Sequence, residues 1–481
     1  MRKAVIMLAV YVFVFMVLPA MAAEVKIKGD FNNRFMIYTN HNDWLDQEKG
    51  VLKDGNSSET WAEAKYRLWF DAVSNDGKVK GVWAFEVGSL EYGAPNHMGR
   101  GNGGSYSGDT INVETRWLYT DFQMPHVGCK CRLRLGLQPF NVNSFYWKET
   151  IMGVKAYGAV NGIDWEAAWL RPVREESKDP DDEVEDMDAF YGRVNFKPVD
   201  GLRIGLFAVY HTGDSGNDNP AAFDTITSQD YEIKKLGNKY DTQIFTVGTD
   251  GSWSRDNLFV KWDFIYETGS IDDANFALSY DGIGYTDNDG VSGMNSEDFD
   301  LNAYLLHVDL GFTMDAWKFT YTFWYASGDN DPGDDDMDAF MAVDIDRKDS
   351  ICIFKASYTD DDTFTEKEYL LDKGFIMNKL AADFKASRKL TMGGAVMYMM
   401  TAEDVEYGSY SDDKIGLEID GYLKYKIYEN LEFAVNAGYL FADDALDFYE
   451  RNSAGDAVAD EPDGNSDENV FVSTARVRYK F

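Results

Sequence analysis

The sequence has little of what defines several common protein classes. It has 3 cysteines in 481 residues, too few for a fold held together by a disulfide framework. Beyond residue 23 it has no apolar run near the roughly 18 residues that a membrane-spanning helix requires. It carries 46 basic against 83 acidic side chains, and this acidic excess argues against a nucleic-acid binder, which needs a basic surface to hold phosphates.

Sequence motifs of catalysis and cofactor binding are also missing. The chain contains no H-E-x-x-H, G-x-S-x-G, G-x-x-x-x-G-K or C-x-x-C-H motif. Its five histidines are scattered along the chain. We therefore expect neither an enzyme nor a bound cofactor. A hydrolase that pairs His211 or His307 with a loop serine is kept as an alternative.

The N-terminus has the pattern of a cleaved secretory signal. Arg2 and Lys3 precede an apolar run over residues 4–18, and the small-residue site Ala20-Met21-Ala22 follows. A short membrane anchor is the alternative. We predict a signal peptide over residues 1–23 and a single unit over residues 24–481.

Aromatic residues are abundant, at 15% of the chain, so the mature protein has ample apolar surface with which to fold. From Val25 to Phe481, segments of about ten residues alternate between apolar and polar side chains, which is the strand signature. In residues 414–428, Ile415, Leu417 and Ile419 share one face. Glu418, Asp420, Lys424 and Lys426 share the other. Such a strand separates an apolar medium from an aqueous one.

The even spacing of these segments predicts an all-β fold: a transmembrane antiparallel up-and-down β-barrel. We count 18 strands, with 16 as the alternative. Both chain ends then lie on the periplasmic side. The predicted starts are residues 25, 59, 78, 111, 132, 150, 162, 188, 202, 240, 257, 299, 317, 374, 390, 414, 431 and 469.

The connections predict which rim of the barrel faces which compartment. Short turns such as 74–77, 160–162, 198–201 and 428–430 alternate with long polar loops at 89–110, 172–187, 213–239, 270–297, 328–372 and 444–467. Short periplasmic turns and long extracellular loops are typical of outer-membrane barrels, whereas a soluble β-sandwich, the alternative, does not require them. Residues 349–359 are expected to add strand-like structure within the loop 328–372.

The C-terminal strand carries a resemblance to a known family. Phe481 is terminal, and Tyr479, Val477 and Ala475 precede it at alternate positions. This pattern resembles the insertion signal of Gram-negative outer-membrane proteins, and the mature chain resembles the general porin superfamily. The resemblance implies an integral outer-membrane protein that the barrel-assembly machinery inserts, in contact with lipid and lipopolysaccharide, and a homotrimer. The chain lacks the Pro-Glu-Phe-Gly-Gly constriction motif of the best-known trimeric porins.

The inward-facing positions carry charges of both signs, as the wall of an aqueous pore would. Arg476, Arg478 and Lys480 of the last strand are expected beside the basic residues of the first two strands, forming a basic stripe. This stripe either attracts small anions or simply consists of hydrated polar side chains. The predicted pore-lining residues are Lys26, Lys28, Arg34, Glu63, Lys65, Arg67, Arg132, Arg134, Arg203, Lys261, Asp263, Glu267, Glu418, Asp420, Lys424, Arg476 and Arg478. Asp71, Glu86 and Glu432 are further acidic inward positions.

By the same resemblance, the third loop folds into the pore. This loop covers residues 141–149, and its candidate constriction residues are Phe145, Tyr146, Trp147, Lys148 and Glu149. Packing beneath the rim is the alternative for this loop. The glycine-rich residues 100–108 are a second candidate constriction.

Acidic runs at 175–188, 329–338 and 443–468 are expected to be solvated. Asp329, Asp331 and Asp334 are weak calcium candidates, because their spacing does not complete an EF-hand loop. Cys129 and Cys131 lie in a predicted periplasmic turn. They either form a disulfide or remain free thiols. Cys352 is expected in an external loop.

These features together predict an outer-membrane porin. We expect a water-filled channel for passive diffusion of small hydrophilic solutes and ions, with a mild preference for anions. A barrel of 16 to 18 strands leaves an aqueous channel, whereas a barrel of about eight is filled by its side chains. The alternatives are a substrate-specific or export channel and the sheath of an outer-membrane redox conduit.

Overall fold

The structure, a computed structural model, describes residues 24–39, 58–95, 102–106, 111–125, 127, 129–173, 186–214, 241–276, 295–330, 336–345, 347–353, 373–407, 410–443, 445 and 469–481. The predicted signal peptide, residues 1–23, lies outside these residues. So do residues 331–335 and most of the acidic runs 175–188 and 443–468. Within the described residues, no helix is long and apolar enough to cross a membrane.

Among the described residues, eighteen long strands form the wall of a barrel, and one two-residue strand pairs with a wall strand. The strands are β1 (Glu24–Thr39), β2 (Ser58–Val73), β3 (Val79–Glu91), β4 (Val113–Gln123), β5 (Arg132–Pro139), β6 (Thr150–Val160), β7 (Ile163–Val173), β8 (Met187–Val199), β9 (Leu202–Asp214), β10 (Asp241–Arg255), β11 (Leu258–Phe276), β12 (Asn295–Met314), β13 (Trp317–Ala326), β14 (Asp336–Met337), β15 (Phe375–Phe384), β16 (Leu390–Tyr407), β17 (Tyr410–Tyr428), β18 (Leu431–Ala442) and β19 (Val470–Lys480).

The barrel closes because β1 pairs with β19. Each wall strand is antiparallel to its neighbours in the chain, and β13 pairs directly with β15. At the seam, pairing runs from Asp30 opposite Lys480 to Thr39 opposite Phe471. The short β14 instead pairs in parallel with β12. The prediction of an 18-stranded antiparallel barrel is confirmed, and the 16-stranded alternative is wrong.

The period-2 alternation located the strands well. Predicted and observed strand starts differ by at most four residues, at β12 (299 against Asn295) and at β17 (414 against Tyr410). The predicted loop 270–297 is shorter than expected, because β11 continues to Phe276 and β12 begins at Asn295. Residues 349–353 form bends rather than a strand, and 354–359 lie outside the described residues.

The two rims of the barrel differ in their connections. At one, the turn rim, consecutive strands are joined by short turns such as Asn161-Gly162. Both residues of this turn have positive φ, 52° and 81°, as a two-residue hairpin of matching twist requires. Both described chain ends also lie here, since Gly29 and Phe481 exchange backbone hydrogen bonds of 3.0 and 3.1 Å. The strand ends that the long connections join lie at the opposite rim, the loop rim, where Tyr407 also pairs with Tyr410.

The outer surface of the wall is apolar. Every second residue of a strand exposes an aliphatic or aromatic side chain, for example Phe35 and Ile37 on β1. Aromatic rings are grouped near both rims, with Trp83, Trp317 and Tyr479 toward the turns. Phe190, Tyr304 and Phe441 lie toward the loops. Two aromatic girdles bordering an apolar band are what a barrel in a bilayer presents to lipid.

An arginine on this surface should destabilise the barrel. Leu380 lies in the middle of β15, pointing outward with 65% of its surface exposed. We expect Leu380→Arg to lower the free energy of unfolding in lipid vesicles by about 2–4 kcal/mol, the cost of a basic side chain near a bilayer midplane. Urea titration would measure it. The matched control is Thr320→Arg on the neighbouring β13, where the side chain points into the lumen. An equal loss in both variants would contradict an outer surface that faces lipid.

Candidate functional site

Two connections at the loop rim turn into the barrel instead of away from it. We call residues 140–149, between β5 and β6, the first inner loop. We call residues 336–345 and 347–353, between β13 and β15, the second inner loop. Phe145 and Tyr146 are fully buried, and their contacts are with inward-facing wall residues. The lumen is therefore partly filled by the chain itself.

The first inner loop is a compact hairpin. Phe140 N–H donates to Glu149 O at 2.8 Å, and Val142 N–H donates to Trp147 O at 2.9 Å. The Asn143 side chain accepts from Phe145 N–H at 2.9 Å. These bonds pair backbone groups of the loop with each other instead of with water. The aromatic side chains therefore point outward from the hairpin, toward the barrel wall.

Aromatic packing fixes this hairpin to the wall. The Phe145 ring centroid lies 4.6 Å from that of His307 and 4.8 Å from that of Trp324. Asn143 Nδ2 donates to Asp263 Oδ1 at 2.7 Å, and Arg193 Nη1 donates to Val142 O at 2.9 Å. The structure thus places the predicted constriction residues Phe145, Tyr146 and Trp147 inside the barrel, between β8 and β13.

The second inner loop packs on the first. Lys148 N–H donates to Asp344 O at 2.9 Å, and Val343 N–H donates to Tyr146 O at 2.8 Å. The Arg347 guanidinium lies 3.7 Å from the Phe145 ring centroid and pairs with Asp349 at 2.6 Å. Burial opposes ionisation of Asp349, but Arg347 and Lys379 outweigh it and hold the pKa of that carboxyl below its usual value. This part of the loop 328–372 was expected to be external and solvated, and that expectation is wrong.

The sequence carries a signal for this inward fold. The run Ala339-Phe340-Met341-Ala342-Val343 is apolar within an otherwise acidic connection, and the structure buries Ala339 to Ala342 almost completely. Burying an apolar run of this kind inside the barrel is favourable, because it removes apolar surface from water. Cys352, also expected outside, is buried in the same loop and takes no part in a disulfide.

The wall around the inner loops is apolar on its inner face. Inward side chains toward the loop rim include Val209, Ile244, Ile265, Leu305, Met377 and Met399, all fully buried. Together with the inner loops they form one apolar cluster. The expectation of water against every inward position is therefore wrong for this part of the lumen, because protein rather than water covers these side chains.

One arc of the wall is left outside that cluster. No described residue within strands β2, β3, β4, β5 or β6 belongs to it, although Trp61 and Ile151 pack against it. We call the inner face of β2–β6 the polar arc. An aqueous path that passes the inner loops therefore has to follow this arc.

Three carboxylates of the polar arc each pair with two or three cations. Glu86 meets three cations: Lys65 and Arg116, each at 3.2 Å, and Arg67. Asp121 meets Arg132 at 2.5 Å and Arg134 at 3.0 Å, and Asp71 meets Lys28 and Lys80, both at 3.1 Å. Each of these three carboxylates is thus shared between two or three cations, although β2–β6 as a whole carry equal numbers of acidic and basic residues.

Four arginines of the polar arc lie nearer the solvent than the carboxylates they pair with. The side chains of Arg67, Arg116, Arg132 and Arg134 are 18–30% exposed, whereas Glu86 and Asp121 are 3% exposed. Arg134 is further held between the rings of Tyr119 and Tyr157, 4.6 and 5.4 Å from their centroids. A solute in the lumen therefore meets these guanidinium groups before it meets Glu86 or Asp121.

The predicted basic stripe does form on neighbouring strands, but as ion pairs. Arg34 Nε donates to Glu63 at 2.8 Å, and Arg478 Nε donates to Asp30 at 2.7 Å. Arg476 pairs with Glu432 at 2.7 Å. Lys26, near the turn rim, is half exposed beside Glu24. The stripe is thus largely neutralised by carboxylates on the same strands and on the neighbouring β18.

Other predicted pore-lining residues have different surroundings. Lys261, half exposed, pairs with Asp309 at 3.3 Å, while Lys424 lies over the Tyr422 ring and Arg203 is exposed toward the turn rim. Asp420 faces inward on β17. Glu267 and Glu418 also face inward, but they lie beneath the second inner loop and are fully buried.

The candidate calcium ligands and the second candidate constriction lie only partly within the described residues. Asp329 is buried at the loop rim, and Asp331 and Asp334 lie outside the described residues. In the described ranges, no group of three or more metal-ligating side chains is present. Of the candidate constriction 100–108, residues 102–106 are described, and they fold back on β3, where Gly93 N–H donates to Gly104 O at 3.1 Å.

The two histidines that the structure describes, and the three cysteines, are held in place by contacts within the protein. His307 has carboxylates at both ring nitrogens, Asp263 at 2.8 Å and Asp309 at 3.3 Å, rather than a serine hydroxyl. His211 is buried beside Tyr146 and the Trp147 ring. Cys129 and Cys131 form a disulfide in the turn between β4 and β5.

Comparisons with known proteins support the fold. No family model and no curated protein matches the sequence. The barrel is similar to a BenF-like porin from Pseudomonas fluorescens Pf-5, with a TM-score of 0.52 at 10% identity, over 96% of this chain and 100% of that one. It is also similar to OccK8 (OprE) of Pseudomonas aeruginosa, with a TM-score of 0.50 at 11% identity, over 95% and 98% of the two chains. Such distant similarity shows a shared barrel fold.

The inner loops should depend on the Phe145 ring. We expect Phe145→Ala to lower the free energy of unfolding by about 3–5 kcal/mol, because the ring leaves a cavity between His307, Trp324 and Arg347. Phe145→Leu retains most of the volume and should lose clearly less. Urea unfolding in vesicles, followed by tryptophan fluorescence, would measure both. Wild-type stability of Phe145→Ala would show that the loop does not pack as described.

Proposed function

We propose that the chain is an integral outer-membrane channel through which small hydrophilic solutes and ions diffuse passively. The apolar outer band with its aromatic girdles supports a place in a membrane. The fold shared with the BenF-like porin supports a channel. The observation that carries the proposal is the polar arc, since an inner face of partly exposed charges is stable only against water.

We infer that the passage favours anions. A solute confined between the inner loops and the polar arc passes guanidinium groups at close range, and a narrow path through protein strengthens their field. The formal charge of −37 does not oppose this, because the acidic runs 175–185 and 446–468 belong in sequence to the connections β7–β8 and β18–β19 and not to strands β2–β6.

A channel specific for one class of solute is the second candidate function. The two inner loops favour it, because they leave only one arc of the described wall uncovered. Saturable block of the current by one ligand would distinguish this function from general diffusion. Homotrimer formation, contact with lipopolysaccharide and insertion by the assembly machinery stay predictions from the family resemblance.

Channel activity and its selectivity can be tested in planar bilayers. The purified barrel should give discrete conductance steps and, in a KCl gradient, a reversal potential displaced toward that of chloride. Arg116→Gln combined with Arg134→Gln should lower the chloride-to-potassium permeability ratio by at least about twofold, since even one charge several ångströms from an ion contributes roughly 0.5 kcal/mol in water before salt screens it. Lys65, Arg67 and Arg132 still pair with Glu86 and Asp121 in this variant.

The control is Arg255→Gln combined with Arg388→Gln, which removes the same charge at the turn rim. It should leave the permeability ratio close to that of the wild type. Absence of any conductance step from the wild-type barrel would refute the channel. Cation selectivity that the Arg116 and Arg134 replacements do not alter would refute only the inferred anion preference.

A further inference from the structure

Two fully buried carboxylates of the wall form no ion pair with any described cation, and both bind the second inner loop. Glu267 on β11 and Glu418 on β17 are each 0% exposed. A buried carboxylate is strongly destabilising unless hydrogen bonds replace its water. Here the second inner loop supplies most of those bonds.

The loop wraps around Glu418. Its Oε1 accepts from Ile351 N–H at 2.7 Å and from Cys352 N–H at 2.9 Å. Its Oε2 accepts from the Ser350 hydroxyl at 2.5 Å. The Ser350 oxygen in turn accepts from Ile353 N–H at 2.8 Å. One wall carboxylate thus organises the whole turn from Ser350 to Ile353.

Glu267 binds the other part of the same loop. Its Oε2 accepts from Met341 N–H at 3.0 Å, and its Oε1 accepts from the Thr246 hydroxyl at 3.4 Å. The two carboxylates lie on strands well separated around the barrel. Together they attach the second inner loop at both of its described parts.

These bonds differ in kind from the apolar packing around them. Most of the donors are backbone N–H groups, which have to be paired when they are buried. Removing one acceptor leaves them unsatisfied, whereas removing one methyl group from the apolar cluster only weakens packing. The position of the loop in the lumen therefore depends on the two carboxylates more sharply than on any single apolar contact.

We propose that Glu418, together with Glu267, is a positioning residue that holds the second inner loop in the lumen and so sets the cross-section of the passage. The effect on conductance rests on the proposed channel function. The effect on loop position does not, and it has its own readout.

Cys352 is a native probe of the loop position. It is 1% exposed, it adjoins the bonds to Glu418, and it is not in a disulfide. Burial raises the pKa of its thiol well above the usual value, so the reactive thiolate is scarce while the loop is in place. Cys129 and Cys131 are joined and do not react. N-ethylmaleimide should therefore label the folded wild-type barrel slowly, at Cys352.

Three variants test the role of Glu418 in the full-length barrel. In Glu418→Leu the N–H groups of Ile351 and Cys352 lose their acceptor, and labelling should become at least about tenfold faster because local opening is easier. In Glu418→Gln the amide oxygen still accepts from both and the amide N–H₂ donates to Ser350, so labelling should stay slow. Glu432→Leu also removes one lumenal carboxylate, but its partner is Arg476 on the wall, so labelling should stay slow.

The same variants are then compared in planar bilayers. Glu418→Leu should raise single-channel conductance by at least roughly half, since conductance follows the width of the water-filled path, and Glu418→Gln should keep the wild-type value. Barrel integrity is checked by the heat-dependent shift in electrophoretic mobility, which should be unchanged in every variant.

The outcomes separate the two proposals. Equal labelling of Glu418→Leu and wild type, or equally fast labelling of Glu432→Leu, overturns the positioning role. Faster labelling of Glu418→Leu with unchanged conductance overturns the link between the loop and the passage. A wild-type barrel that conducts no ions refutes the channel function, while the labelling rates still decide the positioning role.

Discussion

Each wall strand has an outer face toward lipid and an inner face toward the lumen. The rest of the structure depends on what covers the inner face. The outer face is apolar along the whole circumference. The inner face is polar on β2–β6, where charges pair and reach solvent, and apolar on much of β7–β19 toward the loop rim. An apolar inner face is stable only when protein covers it. The two inner loops provide that cover, so the composition of the wall decides where the lumen is filled and where a passage lies.

The strands could be predicted from sequence because a side-chain period of two leaves few registers that keep the lysines of β17 away from the apolar side. Ile419 and Leu423 face outward, and Glu418 and Lys424 face inward, as their alternation indicates. Strand ends were less predictable. β11 and β12 extend into a stretch of polar residues, since pairing between neighbouring backbones continues where the side chains no longer alternate.

The site was predicted only in part. Charge and parity identified Arg67, Arg132 and Arg134, and the loop holding Phe145 was singled out by resemblance. The second inner loop was missed because its acidic flanks masked the apolar run Ala339 to Val343. In β9 and β12, moreover, Val209 and Leu305 are as apolar as their outward neighbours Tyr210 and Leu306. Apolar residues on both faces of a strand end are the available signal that something covers the inside. The identity of the covering segment depends on tertiary contacts that no local pattern carries.

The central claim is that water follows the polar arc past the inner loops, and chemical access to single introduced thiols tests it most directly. A negatively charged thiosulfonate reagent would be added to barrels carrying Arg134→Cys or Val209→Cys, with Cys352 replaced by Ser in both, while the current is recorded. The account predicts that the reagent modifies residue 134 rapidly and lowers the current, and that it leaves residue 209 unmodified. Rapid modification at 209 with none at 134 would place the aqueous path on the opposite side of the lumen and contradict the account.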